Sequence, residues 1–117
     1  MEEAQIAACV FQHDARNLRL KRRLAEHGFD WRNQLAITCR FRAASQQQAS
    51  QLAEELSGKG FMSLAVGPAP GRQRSWLLRG RVHLSLDQVA SHEFTEQMVR
   101  SAAASSCIYD GWEAQVA

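Results

Sequence analysis

Two carboxylates near the C-terminus, Asp110 and Glu113, come closest in type and spacing to an acid–base pair. General acid–base catalysis needs such groups beside a reacting bond, together with a nucleophile, a metal or a phosphate-binding loop. The sequence supplies none of these in a recognisable pattern. Its glycine-containing segment GRQRSW lacks the Gly-Lys-Ser/Thr ending of a P-loop. We therefore expect no enzymatic activity.

The cysteines and histidines do not form a metal-binding pattern. The three cysteines lack Cys-x-x-Cys spacing, and no histidine stands at ligand spacing from any of them. Cys39 lies in an alternating apolar run and Cys107 borders another, so we interpret all three thiols as reduced, buried and apolar in character. We expect neither a metal site nor a cofactor.

Basic residues are concentrated in two segments, although the net charge is only +2. Five lie between Arg16 and Arg23, and four arginines lie between Arg72 and Arg81. Separation of charge along a chain affects the choice of partner rather than the fold. For the first segment, a solvated helix face and a contact with phosphate or an acidic protein both remain open.

The chain has 117 residues, and we expect residues 1–117 to form a single domain. A core can form at this length without a disulfide or a metal. No apolar run reaches the roughly 18 residues of a transmembrane helix. The N-terminal sequence MEEAQIAACVF is acidic where a signal peptide is basic. We therefore expect a cytoplasmic protein without membrane contact.

The first half of the chain has the pattern of helix, strand, helix and strand. The segment before Gly28 is helical, and IAACVF either extends this helix or forms a separate extended segment. LAITCRFR, residues 35–42, alternates apolar and polar residues as a strand does. SQQQASQLAEELSGKG, residues 45–60, starts with a capping box at Ser45 and continues as a helix. FMSLAV, residues 61–66, is a short strand.

The second half repeats the strand–helix–strand pattern. GPAPGRQR, residues 67–74, is a loop that we expect to connect a hairpin. SWLLRGRVHL, residues 75–84, alternates again. A second capping box, Ser85 with Gln88, opens one long helix that runs to SAAASS. CIYDGWEAQV, residues 107–116, is the last strand.

This order of elements predicts an α+β fold. Right-handed crossovers bring the two halves together as one four-stranded antiparallel sheet with both helices on one face. The prediction is a ferredoxin-like βαββαβ sandwich with an extra N-terminal helix. The first and third strands are expected at the centre of the sheet, and the last strand at an edge.

The sequence IYDGWEAQV does not fit a regular strand. Strict alternation would place Asp110 on one face with Ile108 and Trp112, so that its charge would point into the core at a high cost. A bulge or tight turn at Asp110–Gly111 would shift the phase and redirect Trp112. A bent edge strand also resists pairing with other molecules. The motif therefore has a structural explanation.

The same motif, YDGWE at residues 109–113, resembles that of the bacterial ribonuclease E inhibitor family, also called regulator of RNase E activity B (RraB). NLRLKRRLAEHGFD is similar to that family's leading helix, LAITCRF to its first strand, and ASQLAEELSGKGF to its helix and turn. The resemblance covers residues 17–116, and YDGWE is its distinctive element.

The resemblance implies a ferredoxin-like fold and a non-catalytic regulatory protein. Its expected partner is an endoribonuclease of the RNase E type, whose cleavage of RNA it reduces. The well-described member of the family is strongly acidic and has an acidic tail beyond the motif, whereas this chain is slightly basic and ends at Ala117. The fold is therefore expected to carry over better than the mode of docking.

The residues predicted from this motif to bind the nuclease are Tyr109, Asp110, Trp112 and Glu113. Trp112 would be an anchor, the carboxylates would contact basic groups of the partner, and Tyr109 would support them. A protein that occupies the RNA-binding surface of the nuclease would compete with its substrate. The structural explanation of the motif and this one both remain open.

An alternative function is direct binding of RNA or phosphate. Adjacent first and third strands would present four arginines on the face away from the helices: Arg40, Arg42, Arg79 and Arg81. RNA-recognition motifs use this face with aromatic side chains that stack on bases, but Phe41 and Trp76 have the opposite parity here. Arginines alone would bind phosphates with little sequence preference, and a solvated face is the simpler interpretation. The pattern specifies no oligomeric state.

Overall fold

The computed structural model describes residues 1–71 and 74–114. Its elements follow in the order α1 (Glu3–Glu26), β1 (Gln34–Ala43), α2 (Gln46–Ser57), β2 (Ser63–Pro68), β3 (Trp76–Ser85), α3 (Leu86–Val89), α4 (His92–Ala104) and β4 (Ile108–Ala114). Parts of two predicted segments lie outside the described residues: Arg72 and Gln73 of the loop, and Gln115 and Val116 of the last strand.

The four strands form one antiparallel sheet in the order β2-β3-β1-β4. This is the predicted ferredoxin-like α+β arrangement, with α1 as the extra N-terminal helix. The predicted positions of β1 and β3 at the centre, and of β4 at an edge, are also confirmed. The sheet therefore has one face towards the helices and one face that we call the open face.

The core lies between the sheet and the helices because the strands alternate in polarity. On β1, the side chains of Ile37, Cys39 and Phe41 are at most 1% exposed. On β3, Leu78 and Val82 are buried in the same layer. The helices contribute the apolar residues Ala49, Leu52, Leu56, Val89, Met98, Val99 and Ala102. Period-two strands and amphipathic helices thus share one apolar layer.

The N-terminal helix α1 begins at Glu3, so IAACVF extends it rather than forming a separate segment. It ends at Glu26, two residues before Gly28, whose φ of +87° lies in the left-handed region that ends many helices. The buried residues of its first half, Ile6 and Val10, join the core.

Two ion pairs fix α1 antiparallel to α4, and a third connects it to α3. They join Glu3 to Arg100 at 2.9 Å, Asp14 to His92 at 2.7 Å and Lys21 to Asp87 at 2.6 Å. Each of these pairs is partly exposed and is worth little alone. Distributed along the helix, they set its direction and register against the body of the protein.

The helix predicted after Ser85 is divided in the structure, so the prediction of one continuous helix was wrong. The one-turn helix α3 ends at Val89, and Ser91 then caps α4 by accepting a hydrogen bond from the Phe94 amide at 3.1 Å. The Ser91 hydroxyl also donates to the Gln88 carbonyl at 2.7 Å. Because the Ser91 hydroxyl bonds the backbone on both sides, it favours the start of a new helix over the continuation of α3.

The two predicted capping boxes differ. At Ser85 both bonds form, from the Ser85 amide to Gln88 Oε1 at 2.9 Å and from the Gln88 amide to Ser85 Oγ at 3.2 Å. At Ser45 the hydroxyl accepts from the Gln48 amide at 3.2 Å, and the reciprocal bond is not formed. The helix starts were predicted correctly, and only the second box is complete.

Gly80 lies in the middle of β3 under the ring of Phe61. A Cβ atom at this position would lie 2.7 Å from Phe61 Cδ1 and 3.0 Å from Leu64 Cδ2. The absence of a side chain on the core face of β3 therefore makes room for the aromatic ring that follows α2.

We predict that Gly80→Ala lowers the free energy of unfolding by about 1–3 kcal/mol, because the new methyl group overpacks the site. The matched control is Gly67→Ala on β2, where an added Cβ meets no atom within 4 Å. The control should be unchanged or slightly more stable. Urea denaturation followed by circular dichroism measures both, and equal losses would contradict this account of Gly80.

The pKa of His92 is raised, first by its hydrogen bond to Asp14 and then by the charges of nearby carboxylates. Nδ1 lies 2.7 Å from Asp14 Oδ2, and Nε2 lies 3.4 Å from Glu96 Oε2. The imidazolium therefore connects α4 to α1. A raised folded-state pKa adds stability that is complete below the unfolded pKa, and this stability is lost as the pH rises through the folded value.

We predict that His92→Gln destabilises the protein more at pH of about 5.5 than at about 8.5, values on either side of the ordinary histidine pKa. Burial lowers the pKa of His13, which gives a pH dependence of opposite sign. His13 is the same in both proteins, so it cancels in the difference between their urea midpoints. An identical difference at the two pH values would contradict the prediction.

Candidate functional site

The edge strand β4 contains a bulge at Asp110. Arg40 of β1 is opposite Gly111, and the next residue, Phe41, is opposite Tyr109, so Asp110 is the extra residue. Gly111 has a φ of +109°, in the left-handed region where glycine is favoured. The bulge predicted at Asp110–Gly111 is confirmed.

The bulge places both aromatic residues of the motif on the core face. Trp112 is opposite Cys39 and is 2% exposed, whereas Tyr109 is opposite Phe41 and is 3% exposed. The rings of Tyr109 and Phe41 lie 5.2 Å apart, centroid to centroid. In a regular strand, residues three apart would point to opposite faces. One inserted residue therefore allows β4 to bury two large side chains.

Side chains of α1 bind the main chain of β4 at the bulge. His13 Nε2 donates to the Tyr109 carbonyl at 2.8 Å, and Arg16 Nη1 donates to the Asp110 carbonyl at 2.9 Å. A Cβ atom on Gly111 would collide with the Arg16 guanidinium. Burial lowers the pKa of His13, which favours the neutral ring with its proton on Nε2. The helix thus occupies carbonyls of an edge strand that could otherwise pair with another chain.

A buried chain of hydrogen bonds connects Trp112 to helices α1 and α4. Trp112 Nε1 donates to Asn17 Oδ1 at 2.7 Å, and Asn17 Nδ2 donates to Thr95 Oγ1 at 2.9 Å. The Thr95 hydroxyl then donates to the Ser91 carbonyl at 2.8 Å. Asn17 is 2% exposed and Thr95 is fully buried. Because an indole nitrogen can only donate, the orientation of the Asn17 amide is fixed.

The Tyr109 hydroxyl is buried and makes no hydrogen bond of good geometry within the described residues. The Cys39 thiol is near it, and burial raises the pKa of that thiol to about 12. Burial also raises the pKa of Tyr109 well above its usual value. Both groups are therefore neutral at physiological pH, so Cys39 is not a reactive thiolate.

The two carboxylates of the motif remain accessible at the border of the open face. Asp110 forms an ion pair with Arg42 at 3.4 Å. Glu113 is exposed and lies opposite Thr38 of β1. Ile108, at the start of β4, is 52% exposed beside them. The four predicted nuclease-binding residues thus divide into two buried aromatics, the half-buried Asp110 and the exposed Glu113, and their contact with a partner stays a prediction.

The four predicted arginines lie together on the open face. Arg40 is directly opposite Arg79, and Arg81 is opposite Thr38, in the pairing of β1 with β3. Arg42 is further along β1, next to β4. Phe41 and Trp76 lie on the other face of the sheet, as their parity predicted.

Sequence reasoning missed the residues of α1 that hold the bulge. His13, Arg16 and Asn17 have the spacing of neighbours on one helix face. Arg16 and Asn17, however, belong to the basic segment that we had considered to be solvated or available to a partner. A polar residue on a helix gives no local signal that it is buried, so only the tertiary contacts identify Asn17.

The residues that the structure describes form neither a metal-binding cluster nor a membrane-spanning helix. No three histidine, cysteine, aspartate or glutamate side chains within 1–71 and 74–114 are grouped so that they could hold a metal ion. In the same residues, the helices are too short or too polar to span a bilayer.

The fold and the site define a ferredoxin-like protein in which an additional N-terminal helix holds a bulged edge strand. The chain belongs to the family described as regulator of ribonuclease activity B (RraB), whose model matches residues 14–114. The matched segment includes Arg16 and Asn17 of α1 and the YDGWE motif, and it confirms the resemblance seen in the sequence. It is a family of regulatory proteins. No curated protein shows a significant match to the chain.

We predict opposite effects for two conservative substitutions at the bulge. Trp112→Phe leaves the buried Asn17 oxygen without a donor, which should lower the free energy of unfolding by about 1–3 kcal/mol. Tyr109→Phe removes a hydroxyl without a hydrogen bond, so stability should be unchanged or should increase by up to about 1 kcal/mol. Urea denaturation measures both variants. A similar loss in both would show that ring packing, rather than the hydrogen-bond chain, is responsible.

Proposed function

We propose that this protein regulates RNA degradation by binding an endoribonuclease of the RNase E type, without catalysing a reaction itself. The observation that carries the proposal is the match to the RraB family over residues 14–114. That segment extends from the middle of α1 to the end of β4. It includes both partners of the hydrogen bonds that Arg16 and Asn17 make at the bulge.

In this proposal the contact surface is the exposed border of β4. Trp112 and Tyr109 are buried, so they act by fixing the strand, whereas Asp110 and Glu113 are available to basic groups of the nuclease. The exposed side chain of Ile108 adds an apolar group beside the two carboxylates. A small apolar contact surrounded by charged residues is a common composition of transient interfaces.

Local charge rather than net charge has to provide the complementarity. The chain carries a net charge of +2, so its overall field does not attract a basic RNA-binding surface. Two carboxylates at one border of the open face can still orient the encounter and raise its rate. Once bound, the protein reduces cleavage by mass action, because it covers surface that the RNA substrate would otherwise occupy.

We predict that the purified protein binds a purified RNase E-type endoribonuclease from the same organism and slows its cleavage of a fluorogenic RNA oligonucleotide. The double variant Asp110→Asn/Glu113→Gln should weaken binding roughly tenfold, as expected for the loss of two interfacial charges. Isothermal titration calorimetry measures the affinity, and the cleavage assay measures inhibition.

The matched control is Glu26→Gln/Glu54→Gln, which removes two exposed carboxylates from α1 and α2. It should bind and inhibit like the unmodified protein. Failure of the unmodified protein to bind the nuclease would overturn the proposed function. Normal binding by Asp110→Asn/Glu113→Gln would retain the function and exclude the border of β4 as the contact.

A further inference from the structure

The open face of the sheet carries a row of cations along its two central strands. Arg40 and Arg79 are direct cross-strand partners, and Arg81 lies two residues from Arg79 on β3. Residues two apart on a strand point to the same face and are about 6.8 Å apart. Arg42 continues the row on β1. Positive charges are therefore repeated in two directions across the face.

Within the described residues, an acidic group pairs with this row at its border, and the central pair of Arg40 and Arg79 is not neutralised. Asp110 pairs with Arg42 at 3.4 Å, and no carboxylate forms an ion pair with Arg40 or Arg79. The Nε atom of Arg40 is buried and makes no hydrogen bond with a described residue. Like charges placed directly opposite on a sheet destabilise it. A bound polyanion would relieve this repulsion and provide acceptors.

Two small depressions lie beside the arginines on the β2 side of the face. One, of about 150 Å³, is formed in part by Ala65, Gly67 and Arg79. The other, of about 240 Å³, is lined by Ala36, Met62, Ser63, Arg81 and His83. Small side chains beside a planar guanidinium leave room for a flat ring to lie against it. Arginine planes are among the groups on which unpaired bases stack.

We propose that this arginine row binds the phosphate backbone of single-stranded RNA, with bases lying in the two depressions. The composition of the face favours a nucleic acid over an acidic protein. The centres of protein interfaces are rich in aromatic and other apolar anchors. Among the described residues, the open face has no phenylalanine, tyrosine or tryptophan, and the larger apolar residues on it or at its borders are Leu77, Ile108 and Met62.

The same composition determines how RNA is bound. The imidazole of His83 is a small ring for stacking, so most of the affinity comes from phosphate contacts and should depend strongly on salt and weakly on sequence. If Arg40 and Arg79, which have no carboxylate partner within the described part of the chain, each neutralise one phosphate, the plot of log affinity against log salt has a slope of about −1.4, that is, about −0.7 for each contact. This inference does not require the nuclease and can fail independently of the proposed function.

The test is fluorescence anisotropy with an end-labelled fluorescein–oligouridylate and the purified full chain, over a range of salt concentrations. Arg79→Ala should reduce the magnitude of the slope by about 0.7 and weaken binding roughly fivefold near 0.1 M salt. Arg79→Lys should retain most of the affinity, because lysine also binds phosphate as a point charge. Arg22→Ala, which removes an exposed arginine from α1, should have little effect.

Three results would overturn the proposal. The first is an absence of binding to the oligonucleotide at low salt. The second is an equal loss in Arg79→Ala and Arg22→Ala, which would show attraction by diffuse charge. The third is tighter binding of a labelled polyglutamate peptide than of the oligouridylate, which would identify an acidic protein as the occupant. Circular dichroism spectra confirm that each variant is folded.

Discussion

The structure depends on a single buried amide, that of Asn17, which connects three elements distant in sequence. Its oxygen accepts from the indole of Trp112 on β4, and its nitrogen donates to Thr95 on α4. Inside a protein, a fully bonded polar group specifies one arrangement, because any other arrangement leaves a donor or acceptor unpaired at a cost. The position of α1 and the path of β4 are therefore determined together, and neither can shift alone.

The bulge follows from this constraint. For the indole to reach Asn17 while Tyr109 also remains in the core, β4 has to gain one residue between them, and Asp110 is that residue. Gly111 then adopts a conformation that few other residues tolerate, and it leaves space for the Arg16 guanidinium. The charged Asp110 is turned to the border of the open face, which avoids the burial that regular alternation would have imposed.

Most of the fold could be predicted from the sequence because its signals are local. Alternation in β1 and β3, a stripe on α2 and serines at helix starts each need only a few neighbouring residues. The division between α3 and α4 was not predicted, since a serine within an apolar stripe is compatible with either an interior helix position or a helix cap. The burial of Asn17 was not predicted for a different reason: its hydrogen-bond partners are 78 and 95 residues away in the sequence.

The candidate site was predictable only in part, for the same reason. The sequence indicated that YDGWE is unusual and that a bulge could explain it, but the choice between a buried and an exposed Trp112 depends on a contact with α1. The arginines of the open face were easier to place, because the parity of two central strands assigns them without reference to distant elements. Patterns of period two predict a surface well, and they do not predict what a helix from elsewhere will cover.

The long sequence separations at α1 also bear on the order in which the protein folds. Helix α1 leaves the ribosome before any strand, yet its hydrogen-bond partners on α4 and β4 lie 78 to 97 residues later. Closing so long a loop costs entropy that only late contacts repay, so we expect α1 to dock after the sheet has assembled. Until then its apolar residues, Ile6 and Val10, are exposed and accessible to chaperones. Synthesis of β4 therefore determines when the first helix can join the folded protein.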